Sequence, residues 1–522
     1  MLKSKWLPAG TIMAVQARNI PNKVAVKDKV RQLTFREWND RSNRLSNALE
    51  ALGVEKGDKF AILAYNCIEW MEVYAAASKG GQVAVPINFR LAGPEIEYIV
   101  NHSESKAFIV AHEFADTIDR IRQSLNIPRD NYILFGTDAI PDGWKSYEKI
   151  IGGASPEQPP VVVDGADPWM IMYTSGTTGK PKGVIRNHEA TLAEFIINVI
   201  DVGFRHDDKG LLVMPMCHIN SVFYSFVFTY IGASCYICNL VSFDPEDILK
   251  IIQNEGITFV SLVPTHYIMI LAHPNKDKYD VSSMRKLLCS SAPVRRDTKL
   301  AIIDYFKGAE LYEIYGSTEA GSVTILKPEN QMEKLSSIGR EVSATDRIKL
   351  LDEEGNEVPD GEVGELYART PEIFTEYWKD PERTKKAFHG EWFSAGDMAR
   401  RDADGFYYLV DRKANMIITG GENVFPSEVE NIIGSHPAVK DVAVIGIPHE
   451  KWGEAVKAVV IPHEGAKITD KELIDHCRDK IAGYKIPKTI DFIKDDEMPR
   501  TATGKILHRI LRERYGKWSD FK

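Results

Sequence analysis

Residues 172–185 read MYTSGTTGKPKGVI, in which three threonines, one serine, three glycines and two lysines stand between apolar shoulders. Glycines admit close approach of backbone N–H groups, hydroxyls donate hydrogen bonds and lysines bring positive charge, so this composition points to phosphate. The spacing is not that of a Walker A loop, which runs Gly, four residues, then Gly-Lys-Ser/Thr into a helix. Here Gly179-Lys180 is followed by Pro181, whose missing N–H and fixed φ stop a helix from running on through the turn. A phosphate grip of another kind is expected.

Outward from this loop the chain alternates helix and strand signals. Thr34 and Glu37 form a capping box before an amphipathic segment that ends near Gly53, and KFAILAY then reads as a buried strand. The helix IEWMEVYAAASK leads through Gly80-Gly81 to the strand QVAVPI. The rhythm returns at EDILKIIQNEG, ITFVSLVP, a helix around Leu300 and the strand AELYEIYG. This is the pattern of a layered α/β fold. Short strands and turns such as DEEGNEVPDGEVGELYA then indicate a β-rich subdomain. From Met416 a compact α+β unit of about a hundred residues is expected, with the helices PSEVENIIGSHP and TDKELIDHCRDKIA, the second opened by a Thr469/Glu472 capping box.

Composition narrows the function. A chain of 522 residues with 44% hydrophobic and 27% charged residues is a multidomain globular protein. Net charge of -9 gives no general attraction to nucleic acid or anionic membranes, so no nucleic-acid partner is expected. The N-terminus MLKSKWLPAGTIMAVQ lacks a convincing cleavage site, and six cysteines in so long a chain fit a reducing, cytoplasmic compartment. The charge-free stretch from His218 to Phe243 is diluted by polar residues and reads as a buried helix and strand, not a membrane span. Cys235 and Cys238 lie in the strand-like GASCYICNL and read as core. The last forty residues are basic, with Lys485, Lys488, Arg500, Lys505, Arg509, Arg512 and Arg514. They read either as a solvated face or as a landing site for an anionic ligand.

Five segments occur in a telling order: YTSGTTGKPKGV, YGSTEAG at 315–321, SAGD at 394–397, DRKANMIITGGENVFPSEVE at 411–430 and PRTATGKI at 499–506. Together they resemble the acyl-adenylate-forming superfamily, which includes acyl-CoA synthetases, coumarate-CoA ligases, luciferases and peptide-synthetase adenylation domains. The resemblance spans nearly the whole chain. It implies a large N-terminal domain over 1–411, a hinge at 412–415 and a small mobile α+β domain over 416–522. It also implies an ATP-dependent carboxylic acid–CoA ligase with ATP, Mg2+ and coenzyme A as cofactors. The acid's oxygen attacks the α-phosphate, pyrophosphate leaves, and the acyl-AMP is passed to a thiol. Two anions must meet, so cations and N–H donors have to neutralise developing charge.

Residue by residue, Thr174, Ser175, Gly176, Thr177, Thr178 and Lys182 resemble the family's β/γ-phosphate grip. Tyr315 resembles the adenine-stacking aromatic within Tyr315-Gly316-Ser317, Thr318 the hydroxyl facing phosphate and Glu319 the Mg2+ carboxylate, which with phosphate and water as further ligands is enough. Asp397 and Arg412 resemble the ribose contacts. Lys505 resembles the lysine that bridges carboxylate and α-phosphate. Gly420, Gly421, Glu422 and Asn423 resemble the wall of the phosphopantetheine tunnel, with Lys485 as a further CoA contact. At the hinge the chain departs from the family, with Ala414 where Lys or Asp is usual and Asn415 where an acid is usual. The DR-x-x-NMI segment partly matches carnitine and crotonobetaine CoA ligases.

His218 in PMCHINSV at 215–222 resembles a gate residue of the acyl pocket. That region offers Asn220 but no acid to hold an amine, unlike peptide-synthetase domains. No carrier-protein stretch follows Lys505 before Lys522, so free CoA is the expected acceptor. In CSSAPV at 289–294, which resembles the turn flanking adenine and acyl group, Ser290, Ser291, Ala292 and Pro293 stand at the site. The two serines replace glycines that leave room, which favours a short, medium-chain or small polar acid. The alternatives are an aryl or carnitine-type substrate, or a stand-alone enzyme that loads a carrier protein. A nucleotide-binding regulator in the shell of a dead ligase would lack Lys505, Glu319 or Asp397, and all three are present. Oligomeric state is not fixed by the sequence, and a dimer is compatible with it.

Overall fold

A computed structural model describes residues 4–174, 181–239, 241–290, 294, 296–420, 422–478, 480–500 and 506–516. These group into two compact units, one of residues 1–347 with 368–393 and the other of 348–367 with 394–522.

The first unit carries two large sheets. One has seven strands in the order Lys145–Ser146, Tyr132–Phe135, Ser105–Ala111, Lys59–Leu63, Val83–Ile87, Pro168–Thr174, Lys182–Asn187. Its strands run parallel until the last pair, an antiparallel hairpin that brackets the quoted loop. The near-continuous apolar runs are explained by burial on both faces, since Phe60, Ala61, Ile62 and Leu63 are all fully enclosed. The capping box of Thr34 and Glu37 opens the helix Phe35–Ala51 as expected. The helix Ile68–Gly80 is buried at every position but Glu69 and ends at Gly81, whose φ of 69° suits glycine.

The other sheet has nine strands in the order Arg340–Glu341, Gly321–Leu326, Glu310–Ser317, Lys286–Ser290, Phe259–Leu262, Lys209–Leu212, Ser234–Ile237, Val24–Lys27, Gln32–Thr34. From Glu310–Ser317 to Val24–Lys27 the strands are parallel, and antiparallel strands close both edges. The stretch from His218 to Phe243 forms the buried helix Ile219–Tyr230 and the strand Ser234–Ile237, and Cys235 and Cys238 are core residues, each 2% exposed. Among the described residues no helix is long and apolar enough to cross a membrane.

In the second unit, Lys349–Leu351, Val363–Tyr367, Asp397–Arg401 and Tyr407–Arg412 make an antiparallel four-stranded sheet. This is the β-rich region that the turns announced. A five-stranded sheet follows, built on the long hairpin Val439–His449 and Gly453–Pro462 and packed by the helices Pro426–Gly434 and Asp470–Cys477. The Thr469/Glu472 box is formed, but the helix stops at Cys477 and not near Ala482. Arg478 takes an extended backbone, and Ile481 and Ile486 pack onto the core from outside the helix.

Candidate active site

Parallel strands leave their carboxyl ends side by side, and ligands in such sheets bind there. Four neighbouring strands of the nine-stranded sheet deliver site candidates from that end. Lys209–Leu212 leads to His218, Phe259–Leu262 carries Ser261, Lys286–Ser290 ends on Ser290, and Glu310–Ser317 carries Tyr315, Gly316 and Ser317 toward Thr318 and Glu319.

The hairpin around Thr318 and Glu319 is tight. A Cβ on Gly316 would stand 2.0 Å from the carbonyl of Gly321, and Gly321 itself has a φ of 70°. The strand register shifts between Tyr315 and Gly316, and Ser317 Oγ accepts from the Ala320 N–H at 3.0 Å. Glu319 is thereby turned inward, 6% exposed, and its Oε1 lies 2.7 Å from Lys182 Nζ. Tyr377 completes the group. Its hydroxyl donates to Glu319 Oε1 at 2.9 Å and accepts from Lys182 Nζ at 2.8 Å. A carboxylate so placed is an oxygen donor suited to a hard divalent cation that keeps phosphate and water as its other ligands. Among the described residues no group of three or more His, Cys, Asp or Glu could hold a metal ion.

Behind this group lies a buried ionic core. Arg186 is fully enclosed, its Nη2 2.7 Å from Glu194 Oε2, and its Nη1 donates to the Glu372 carbonyl at 2.5 Å and to the Thr318 carbonyl at 3.4 Å. Glu372 Oε2 accepts from the Ser322 N–H at 2.5 Å. Burial raises the pKa of both carboxyls, and the Arg186 charge opposes it. Thr174, at the end of its strand, has a buried hydroxyl without a hydrogen-bond partner among the described residues. Ser175, Gly176, Thr177, Thr178, Ser291, Ala292, Pro293, Gly421 and Lys505 lie outside the described residues.

The acyl-side candidates converge on a polar group. Asn220 Nδ2 donates to Ser261 Oγ at 3.0 Å and to Ser290 Oγ at 3.2 Å. His218 is the N-cap of the helix Ile219–Tyr230, and its buried Nε2 has no partner among the described residues. Burial, and then the charge of Arg90, lowers its pKa to about 4, so the ring is neutral near pH 7.

In the second unit Asp397 and Arg412 face each other across two antiparallel strands, Arg412 Nε 2.7 Å from Asp397 Oδ1. The chain then makes a short 3-10 turn over Lys413–Asn415. Arg512 reaches back to this turn, both Nη atoms 3.2 Å from the Ala414 carbonyl and Nη2 3.1 Å from Asn415 Oδ1. Gly420, at φ 62°, donates its N–H to the Trp452 carbonyl at 2.8 Å, while Glu422 and Asn423 are exposed on a short edge strand. Lys485 forms an ion pair with Glu428 within its own unit.

Motif reading did not single out Tyr377, Glu372, Arg186, Ser261 or Trp452. A signal existed for Tyr377 in EIFTEYW at 372–378, where a tyrosine sits in an apolar segment just past the β-rich turns.

The sequence pattern of the AMP-binding enzyme family matches residues 13–378, and that of the AMP-binding enzyme C-terminal domain matches residues 428–505. A feruloyl-CoA synthase of Amycolatopsis sp is 35% identical over 504 residues, covering 96% of this chain and 98% of that protein. The long-chain-fatty-acid–CoA ligase FadD13 of Mycobacterium tuberculosis is 35% identical over 489 residues, 93% of each chain. Among solved structures, the anthranilate CoA ligase AuaEII in complex with anthranoyl-AMP superposes with a TM-score of 0.88 at 29% identity, over 98% of both chains. With the family pattern matched over most of its length, the chain belongs to the AMP-binding enzymes, the adenylate-forming ligases.

Proposed function

We propose that this enzyme activates a short, medium-chain or small polar carboxylic acid, with Lys182, Thr174, Thr318 and Glu319 serving the nucleotide's phosphates and metal. The chain is an ATP-dependent acid–CoA ligase that forms an acyl-AMP and then an acyl-CoA thioester, releasing AMP and pyrophosphate. Mg2+, when bound, screens phosphate charge so that an anionic carboxylate can approach. Glu319 would hold it, and Lys182 would hold the phosphate oxygens that leave as pyrophosphate. Tyr315 would stack on adenine, with Asp397 and Arg412 on the ribose. Lys505 would steady the acid against the α-phosphate.

For the second half-reaction we assign the 420–423 segment and Lys485 to CoA, with the turn at 412–415 as the pivot. The Arg512 contacts support this pivot, since they replace the charged side chains usual at Ala414 and Asn415 with a clamp from the helix His508–Tyr515. Six cysteines, none in a disulfide among the described residues, support a cytoplasmic location.

One observation carries the substrate assignment, namely the Asn220 amide joined to Ser261 and Ser290, two positions along the chain from His218, whose buried Nε2 has no hydrogen-bond partner among the described residues. A long alkyl chain would offer the His218 Nε2 no hydrogen-bond partner and would keep water from it, which is unfavourable. A second reading, an aryl acid with polar substituents, is favoured by the feruloyl-CoA synthase relative. The test is a panel from acetate through octanoate and palmitate, with benzoate, cinnamates, ferulate, crotonate and betaines. We expect the highest kcat/KM for a short, medium or polar acid, and ferulate at the top would select the second reading. A preference for palmitate would refute both.

A further inference from the structure

We propose that Tyr377 is a positioning residue for adenylation, whose hydroxyl sets the spacing between the Lys182 ammonium and the Glu319 carboxylate. The inference rests on the reading of Lys182 as a phosphate contact and Glu319 as the metal carboxylate, and deepens it.

The chain around Tyr377 is stitched to both partners. On one side, the Trp378 N–H donates to the Gly183 carbonyl at 2.7 Å, the Thr375 N–H to the Ile185 carbonyl at 3.0 Å and the Ile185 N–H to the Glu376 carbonyl at 3.1 Å. Residues 375–378 thus lie alongside Lys182–Asn187, with Tyr377 in an isolated antiparallel bridge to Val184. On the other side, the Phe374 N–H donates to the Glu319 carbonyl at 2.6 Å. One short segment therefore ties the strand that bears Lys182 to the hairpin that bears Glu319.

The side chain repeats this link at the functional atoms. The hydroxyl is one donor and one acceptor, and here it uses both, donating to Glu319 Oε1 and accepting from Lys182 Nζ. Its ring lies beneath Lys182 Nζ, 4.3 Å from ammonium to centroid, and packs on Phe374 at 4.7 Å between centroids. Tyr377 is 3% exposed, so the hydroxyl is enclosed by its surroundings.

When MgATP enters, Lys182 must exchange its carboxylate for phosphate oxygens, and Glu319 must exchange an ammonium for a divalent cation. In that interval a hydroxyl donor keeps the Glu319 carboxylate aimed without adding charge, and the ring face keeps the ammonium in place. An active site this close-packed loses rate when a group shifts by an ångström.

The experiment compares wild type, Tyr377→Phe, Glu319→Gln and the double variant, reading acid-dependent adenylation against Mg2+ concentration and, separately, thioester formation from synthetic acyl-AMP and CoA. We expect Tyr377→Phe to lower adenylation kcat about 10-fold and to raise the Mg2+ needed for half-maximal rate about 5-fold, with acid KM and the acyl-AMP reaction unchanged. In the Glu319→Gln background the same substitution should add less than about 2-fold, since the charged carboxylate that Tyr377 aims is gone. A merely structural role would slow both half-reactions alike and leave the Mg2+ curve in place, and that result overturns the proposal. Additive losses in the double variant overturn it too. If Glu319→Gln leaves Mg2+ dependence untouched, the metal assignment of Glu319 fails, a failure visible in that single variant before Tyr377 is considered.

Discussion

Glu319 and Asp397 each have a carboxylate oxygen 2.7 Å from a cation, yet the two pairs are built differently. The side chains of Lys182 and Glu319 are 21% and 8% exposed, and a third group, Tyr377, bonds both. Arg412 is 39% exposed, spans one strand pair to Asp397 and leads straight into the turn Lys413–Asn415. The first arrangement is over-determined by backbone pairing, a ring face and a buried ionic core. The second joins a half-exposed cation to a buried carboxylate at the exit of a sheet. Equal distances therefore do not imply equal consequences, because desolvation and supporting contacts decide what a pair is worth.

The sharpest way to break this contrast is at Arg186, behind the first pair. Arg186→Met would leave Glu194 and Glu372 buried without their cation, and we expect a loss of about 3–5 kcal/mol in denaturant unfolding of the first unit. A loss below about 1 kcal/mol would show that the ionic core does not brace the Thr318–Glu319 hairpin.

At the second pair, Asp397→Asn should raise the ATP KM by about 10- to 100-fold with little change in unfolding midpoint, the scale of one charge-assisted hydrogen bond. A large stability loss with unaltered ATP KM would make Asp397 a structural residue.

Histidine titration sharpens the comparison from within the core. His188 is fully buried, stacks on Trp169 and has its pKa lowered to about 3, by burial first, with Asp167 opposing and Lys56 adding to the drop. Its folded pKa lies below the unfolded value of about 6.5, so the unfolded chain binds the extra proton. The contribution is present above pH 6.5 and is lost as pH falls toward 3, reaching about 2 kcal/mol by pH 5. His188→Gln should flatten the pH dependence of unfolding between pH 7 and 5. An unchanged slope would show that His188 is not buried in its neutral form.

The smallest effect is expected at the surface. Lys440 and Asp495 lie 2.9 Å apart with side chains 48% and 57% exposed, and Lys440→Ala should cost under about 0.5 kcal/mol.

Much of this molecule was legible in its sequence, for reasons that particular residues show. Helix starts follow local chemistry, so the capping boxes at Thr34 and Thr469 were readable and are formed. Buried parallel strands announce themselves as apolar runs, as KFAIL does. The early stop of the helix at Cys477 was not readable, because the packing of Ile481 and Ile486 overrides a good helical pattern. At the site, Glu319 and Lys182 stand in dense polar motifs. Arg186 reads as one more basic residue after a glycine-rich loop, and only the fold brings it to Glu372, 186 positions away. Tyr377 is hidden for the same reason, since its partners lie 195 and 58 positions distant. Long-range pairings of this kind leave no periodic trace.

We propose a division of labour, in which Lys505 and the Lys182–Glu319 group serve adenylation and not thioester formation. It is tested by giving Lys505→Ala and Glu319→Gln two feeds, acid with MgATP, and synthetic acyl-AMP with CoA. We predict that the first reaction falls by about 10² or more in both variants, the scale of removing one preorganised charged group, while the second stays within about 3-fold of wild type. Parallel loss of both reactions, with the fold intact by circular dichroism, would contradict the claim.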